Sequence, residues 1–271
     1  MTKKYSAVYP PLVERLLTEE QHKKSPDSVK AVKTKLHQMY GAYNQDNGYK
    51  KAVTIINTLE GQGLSLQTAA ESLLALHAST KERLPHYAEF YNFIFEHTGL
   101  VESIMDIGCG YNPFSIPLLL YAWERIVDKD NYTNPPVHDI KIKAYHAYDI
   151  DTRVADLTNR FFAYLCMPQL ARCADLAVRT PPEQADIALM LKLLPVLEAQ
   201  SPGSGFKLAR ELNSRYLVIS YPLKSLGGRE KGMARHYSAI FEEALAEGKL
   251  GNFSPISQKQ IGPEMMYILA T

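Results

Sequence analysis

The sequence predicts an α/β protein, a mostly parallel seven-stranded sheet covered by helices on both faces, behind a helical N-terminal domain. Three observations predict it. From residue 103 onwards, short apolar runs alternate with helix-like segments; such alternation gives parallel strands joined by crossover helices. The last two strand-like runs, 253–260 and 265–269, leave little room for a helix between them, so they read as an antiparallel hairpin at one edge. Residues 1–85 carry helical periodicity and no strand-like run, so the domain boundary is placed there, with 86–271 as the sheet domain.

The N-terminal domain reads as a series of helices. Pro10 and Pro11 open a short helix over 12–20. Ser25, Pro26 and Asp27 then form a helix start: Ser25 caps, Pro26 suits the first turn, and Asp27 complements the helix dipole. Val29, Val32, Leu36 and Met39 follow at helical spacing. Lys30, Lys33 and Lys35 fall largely off that stripe, where they can form a basic surface with Lys23 and Lys24. Residues 43–48 are polar and turn-like, 49–59 make another helix, and Gly61 and Gly63 end it. Ser65 caps a further helix expected to run through Leu73, Leu76 and Leu84 until Pro85 interrupts it. A helix over 87–95 leads into the sheet.

The sheet domain begins with the stretch SIMDIGCGYNP, 103–113. An apolar run with an Asp inside it turns at Gly108-Cys109-Gly110 into a helix-like segment over 114–123. The glycines let the backbone turn sharply and approach a ligand closely. The third glycine of a dinucleotide fingerprint is absent and Pro113 follows the turn, which favours a ligand without phosphates, such as S-adenosylmethionine (SAM), over a pyrophosphate. Further strands are read at 144–148, 169–174, 185–191 and 215–220, with helices at 154–164 and 206–212. Residues 128–141 read as a surface loop with a Pro-Pro pair, and 223–236 as a basic, glycine-containing loop. A parallel sheet closed by an antiparallel hairpin is typical of the SAM-dependent methyltransferase fold.

In open α/β sheets ligands sit at the carboxyl ends of the strands. Here those ends carry Gly108 and Gly110, then Asp149, then Asp175, then Lys192. An acid ending the second strand can accept hydrogen bonds from both ribose hydroxyls, a role that fits Asp149 better than Asp151. One ending the third can accept from an adenine amino group, which points to Asp175. Each acid taken alone is equally a turn-forming strand terminator; the glycine turn and both acids, in order, favour SAM.

Composition narrows the function classes. Of 271 residues, 46% are hydrophobic, which supports a sizeable core, yet no apolar run reaches the roughly 18 residues of a membrane span. No signal-peptide core follows Met1, and Cys109, Cys166 and Cys173 lack metal-ligand or redox spacing. A reducing cytoplasm is therefore expected, with no membrane and no metal. The first 55 residues hold 10 Lys/Arg against 5 Asp/Glu, and the remainder holds 20 against 24. A basic segment on a mildly acidic body suits an anionic partner, or is simply a solvated helical surface. Lys224, Arg229, Lys231 and Arg235 add basic groups on the loop beside the ligand end of the sheet, a placement suited to a phosphate backbone.

Four stretches carry a resemblance: LHASTKERL at 76–84, DIGCGYNP at 106–113, LKLLPVL at 191–197 and SYPLKSLGGREKGM at 220–233. On these the chain resembles the aminoglycoside-resistance methyltransferases of 16S ribosomal RNA, which methylate N7 of guanine 1405 in the decoding site. The first and last stretches are specific; the glycine motif alone is not. The similarity spans nearly the whole chain, with the basic N-terminal helix matching in outline only and the 128–141 loop looking longer than in relatives.

The resemblance implies a basic N-terminal domain that docks on the 30S subunit and a C-terminal domain that binds SAM. It assigns Gly108, Gly110, Asp149 and Asp175 to the cofactor, Arg83 to the methionine carboxylate with Thr80 one helical turn before it, and Lys192 to the site after the fourth strand. Lys30, Lys33, Lys35, Lys224, Arg229, Lys231 and Arg235 are expected to touch RNA. Guanine N7 has a free lone pair, so no base need remove a proton, and the missing His–carboxylate pair is expected. The N/D-P-P-Y/F motif of exocyclic-amine methyltransferases is also absent; Lys192-Leu193-Leu194-Pro195 stands in its place. A guanine inside folded RNA must be flipped out, and Tyr221 at the end of the fifth strand is the candidate to stack on it, or else a core tyrosine. Two other readings compete: a small-molecule methyltransferase, disfavoured by the basic segments, and a non-catalytic RNA-binding protein, disfavoured by the complete glycine–acid set.

Overall fold

The structure, a computed structural model, describes residues 5–24, 27–41, 46–127, 142–223 and 233–271. Seven strands form one sheet: β1 (Ser103–Ile107), β2 (Ala144–Asp149), β3 (Ala171–Cys173), β4 (Gln184–Leu191), β5 (Asn213–Pro222), β6 (Ser254–Ile261) and β7 (Glu264–Ala270). Their order is β3-β2-β1-β4-β5-β7-β6. The first five are parallel; β7 runs antiparallel to β5 and to β6. This is the mostly parallel sheet with an antiparallel edge that the sequence predicts. The chain order reverses between β1 and β4, so a crevice opens at their carboxyl ends.

The N-terminal part is helical: α1 (Pro10–His22), α2 (Ser28–Leu36), α3 (Asp46–Glu60), α4 (Leu66–Leu74), α5 (Ala78–Arg83) and α6 (Tyr87–Thr98). Several starts differ from expectation. Asp27 is the cap of α2, its carboxylate accepting the Lys30 N–H at 2.8 Å; Ser25 and Pro26 lie outside the described residues. Helix α3 begins at Asp46, inside the stretch read as a turn. Ser65 caps α4 as expected, accepting the Thr68 N–H at 3.1 Å. The helix expected to continue to Leu84 breaks at 75–77. There the Thr80 hydroxyl donates to the carbonyls of Leu74 (2.6 Å) and His77 (3.2 Å), so a side chain satisfies an orphan carbonyl at the end of α4.

On one face of the sheet, α3, α4, α6, α7 (Ile116–Val127) and α8 (Thr152–Tyr164) share a single core with the strands. The other face is covered by α9 (Leu194–Gln200), α10 (Ser204–Glu211) and α11 (Met233–Ala246). Helices α9 and α11 were not expected; α11 starts inside the stretch read as loop to His236. A third cluster packs Tyr5, Val8, Leu12, Leu16, Val32, Leu36 and Met39 against Ile150 and Val196, close to the carboxyl ends of the strands. The N-terminal segment is stitched there by backbone bonds: Tyr9 N–H to Ile150 O (2.7 Å) and Thr152 N–H to Ala7 O (2.9 Å). Among the described residues, no helix is long and apolar enough to cross a membrane, and no group of three or more His, Cys, Asp or Glu is arranged to hold a metal ion.

Candidate active site

A cavity of about 110 Å³ lies where β1 and β4 diverge, lined by Gly108, Gly110, Asp149, Asp175, Arg83 and Lys192, among others. Gly108 and Gly110 both have left-handed backbones, φ +67° and +49°. A Cβ on Gly108 would stand 2.8 Å from Leu193 Cδ1, and one on Gly110 3.0 Å from His77 Cε1. Both positions need glycine for conformation and for space.

Asp149 is held by backbone donors. Gly110 N–H reaches Oδ2 at 2.8 Å and Asp151 N–H reaches Oδ1 at 2.9 Å. Burial pushes its carboxyl up to about 6, against the pull of those two donors. Asp151 has other work. It caps α8 through the Arg153 N–H (2.8 Å), accepts the Tyr40 hydroxyl (2.9 Å) and pairs with the Arg153 side chain. Of the two candidates, Asp149 is therefore the one offered to the cavity.

Asp175 is gripped from a distance. Arg15 of α1 donates from Nε at 2.5 Å and from Nη2 at 3.1 Å, one to each carboxylate oxygen, while Nη1 meets Glu19. Leu12, Met39 and Tyr40 also line the cavity. The N-terminal helices are thus part of its wall.

Arg83 is 3% exposed. Its Nη2 donates to Glu264 Oε2 at 2.9 Å and its Nη1 to Asn112 Oδ1 at 3.2 Å. Its Nε has no hydrogen-bond partner among the described residues. The guanidinium lies 5.1 Å from the Phe90 ring centre and 5.8 Å from that of Tyr87. Asn112 in turn donates to Asp106 (2.9 Å), whose carboxyl burial pushes up to about 6 although Tyr145 and Asn112 both donate to it. Lys192 has a left-handed backbone, φ +57°, and its Nζ sits between Glu82 (2.6 Å) and Glu264 (3.4 Å). Burial works to raise the Glu264 carboxyl, but Arg83 and Lys192 hold it below the usual range. Thr80 lines the cavity with its hydroxyl committed to the corner between α4 and α5. His77 stacks on Tyr111, and burial lowers it to about 4, so it is neutral at physiological pH.

Tyr221 is a correction. It is 1% exposed and does not line the cavity. Tyr237 stacks on it at 5.0 Å, and Phe241 and Tyr267 pack against it nearly edge-on. It is a core tyrosine with no face to offer a base, because α11 covers it.

The basic residues divide. Lys30 and Arg235 are exposed and Lys33 is half-buried. Lys35 is turned onto α1, 2.8 Å from Glu20 and 3.7 Å from Glu19. Lys224, Arg229 and Lys231 lie outside the described residues, as does the 128–141 loop.

Sequence reasoning missed Arg15, Glu82, Asn112 and Glu264. Asn112 and Glu82 lie inside quoted motifs. Arg15 and Glu264 carry no local signal, since their partners are 160 and 181 residues away.

The chain has relatives among known proteins. The sequence model of a family described as "Ribosomal RNA methyltransferase (FmrO)" matches residues 1–268. The chain is 33% identical over 270 residues to a 16S rRNA (guanine(1405)-N(7))-methyltransferase of Serratia marcescens, covering 99% of this chain and 94% of that one. It is 32% identical over 249 residues to the Micromonospora echinospora protein of the same name, covering 90% and 82%. Among solved structures, the 16S rRNA methyltransferase RmtF in complex with S-adenosyl-L-homocysteine matches with TM-score 0.79 and 30% identity, covering 99% of this chain and 94% of that one.

Proposed function

The chain belongs to the ribosomal RNA methyltransferase (FmrO) family and is a SAM-dependent 16S rRNA (guanine-N7) methyltransferase; we propose that it acts on guanine 1405 within the assembled 30S subunit in the cytoplasm. The methyl group and positive charge placed on N7 remove an acceptor from the decoding site and repel polycationic drugs, which is the route to aminoglycoside resistance. Residues 1–85 are proposed to dock on the subunit through Lys30 and Lys33, joined by Arg235 and the late-loop residues Lys224, Arg229 and Lys231.

The site's own donors and acceptors fit the cofactor. Asp149, already fixed by two backbone N–H groups, has lone pairs left for the two ribose hydroxyls. Asp175, aligned by Arg15, is the acceptor for the adenine amino group. Arg83 spends two of its five donors on Glu264 and Asn112. Arg83 lines the cavity with donors left over, so it can meet the methionine carboxylate without releasing Glu264. Gly108 and Gly110 keep the cradle free of Cβ atoms.

When bound, SAM supplies a methyl group activated by a positive sulfonium. The chain's task is then alignment rather than proton transfer, because N7 attacks with its own lone pair. Lys192, fixed between Glu82 and Glu264, lines the cavity and is proposed to help orient the base. The observation that carries this reading is the Gly110–Asp149 clasp in the wall of a cavity that Arg83 also lines.

The test is transfer of labelled methyl from SAM to purified 30S subunits, followed by mass mapping of the 16S rRNA. One methyl at N7 of guanine 1405, with free 16S rRNA a much poorer acceptor, is expected. Methylation elsewhere, or equal activity on free RNA, overturns the assignment of the assembled subunit as substrate.

A further inference from the structure

A second cavity, of about 220 Å³, adjoins the first. Met39, Lys192, Val196 and Gln200 line both, so the two share a wall. The far side of the second is built by residues from four places in the chain. Lys35 comes from the end of α2 and Gln38 from the π-helical segment after it (His37–Gly41), Pro195 and Ala199 from α9, Pro222 from the end of β5, and Tyr237 from α11.

The chemistry of this cavity is that of a base pocket. Tyr237 is half-buried, lines the cavity and stacks on Tyr221, with the His236 ring beside it at 5.4 Å and tilted by 49°. Beneath it lies Tyr221 at 5.0 Å and 25°; Tyr267 meets Tyr221 edge-on at 6.0 Å, and Phe241 stacks on Tyr267 at 3.9 Å. A ring backed in this way is held rigid, and a rigid aromatic ring is what a splayed-out base stacks upon. Gln38 and Gln200 each carry an amide donor and an amide acceptor, as hydrogen bonding to a base edge requires. Pro222 and Val196 add apolar surface. Lys35 also lines the cavity, but its charge is paired with Glu20 and Glu19.

We infer that this second cavity receives the flipped-out guanine, and that Tyr237 is the surface on which its ring stacks. The inference rests on the guanine-N7 methyltransferase reading. A base seated here can turn N7 towards the wall shared with the cofactor cavity. The methyl carbon then gains a bond to N7 and loses its bond to sulfur, whose electron pair returns to the sulfur; no proton moves. Tyr237 is a positioning residue in this scheme, and Tyr221 acts only by supporting it.

The experiment is single-turnover methylation of 30S subunits at saturating SAM, beside calorimetry for SAM and a thermal midpoint for each variant. Tyr237→Leu should lose at least about tenfold in single-turnover rate, the order expected for one base–aromatic stack, with SAM affinity and midpoint unchanged. Tyr237→Phe and Tyr237→Trp, which keep a ring, should recover most of the lost rate. Ala199→Trp should fill the cavity from an exposed position that lines the second cavity and not the first. It should block methylation and leave SAM affinity intact. Parental rates in Tyr237→Leu or Ala199→Trp overturn the inference, and so does a Tyr237→Phe variant as slow as Tyr237→Leu. Weaker SAM binding in Tyr237→Leu also overturns it, because Tyr237 would then support the cofactor site. If the parent protein leaves 30S subunits unmethylated, the functional reading itself fails, an outcome distinct from all of these.

Discussion

Asp149 and Asp175 face the same cavity from neighbouring strands, but different parts of the chain hold them. Asp149 is clasped by backbone N–H groups of Gly110 and Asp151. Its two donors lie in the turns after β1 and β2, and the N-terminal segment reaches it only indirectly, through the Tyr40 hydroxyl on Asp151 and the backbone bonds at Ile150 and Thr152. Asp175 is forked by Arg15 of α1. That helix is anchored in turn by the Tyr9–Ile150 backbone bond beside the end of β2. One half of the proposed cofactor site is thus held directly by backbone groups of the sheet's turns. The other half is held directly by a side chain of α1, so the part proposed to dock on the ribosome also shapes the proposed adenine end of the pocket.

The largest expected effect lies on the sheet side. Asp149→Ala removes an acceptor for two hydroxyls and leaves the Gly110 N–H without its partner. SAM affinity should fall by roughly 1.5–3 kcal/mol, the range for hydrogen bonds to a charged group. The same carboxylate predicts a pH dependence. Its carboxyl is raised to about 6 and the ionised form is the acceptor. Affinity should therefore be full above about pH 7 and fall about tenfold by pH 5, one unit below the folded value. In Asp149→Asn this slope should vanish. A slope that survives would point to Asp106 of β1, which is also raised to about 6, and would remove Asp149 as the source of the pH dependence.

A smaller effect is expected across the gap between the two regions. Arg15 and Asp175 are 18% and 9% exposed at their side chains, so solvent screens the pair in part. Arg15→Gln should weaken SAM binding by about 1 kcal/mol, or about fivefold, by freeing Asp175 to rotate and leaving its charge unpaired. A double-mutant cycle sharpens the point. Arg15→Gln and Asp175→Asn should be non-additive, whereas Arg15→Gln and Asp149→Asn should add within a few tenths of a kcal/mol. Calorimetry on the four combinations measures this. Unchanged affinity in Arg15→Gln would separate the N-terminal helices from the cofactor site altogether.

The same division explains what could be read in the sequence. The sheet side was legible because its signals are local. The run of Ile104, Met105 and Ile107 into Gly108 and Gly110 fixes a strand and a turn, and Asp149 follows directly from its strand. Ser65 was legible as a cap for the same reason. The break after Leu74 was not, because the Thr80 hydroxyl that satisfies the exposed carbonyl acts from six residues away. Helix α11 did have a signal, Tyr237, Ile240, Phe241 and Ala244 at helical spacing, but the glycine-rich basic stretch before it extends the loop reading to His236. Tyr221 was misplaced as a consequence, since α11 is what covers it. Arg15 and Glu264 find their partners only through the fold. No pattern in one sequence pairs an arginine in the first helix with an acid beyond the third strand.

The smallest effects concern the outer surface of the N-terminal helices, where lysines expected to act together are used differently. Lys30 is exposed on α2, its backbone N–H engaged by the Asp27 cap and its side chain directed to no acid among the described residues. Lys35, five positions on, is already neutralised by Glu20 at 2.8 Å, with Glu19 nearby. A lysine that meets a phosphate releases condensed counterions, and each such contact adds about one to the slope of log affinity against log salt. Lys30→Gln should therefore reduce that slope by about one for 30S binding, at a cost on the order of 0.5–1 kcal/mol at moderate salt. Lys35→Gln should leave the slope nearly unchanged, because an ion-paired lysine must give up Glu20 before it can reach RNA. Both variants should bind SAM like the parent, since neither carries an acceptor or donor proposed for the cofactor. The measurement is 30S affinity at four or more salt concentrations for each variant. Equal reductions in slope would mean that Lys35 swings off Glu20 on docking. The α1–α2 pair that carries Arg15 would then change when the ribosome binds, and the adenine end of the site would be coupled to docking.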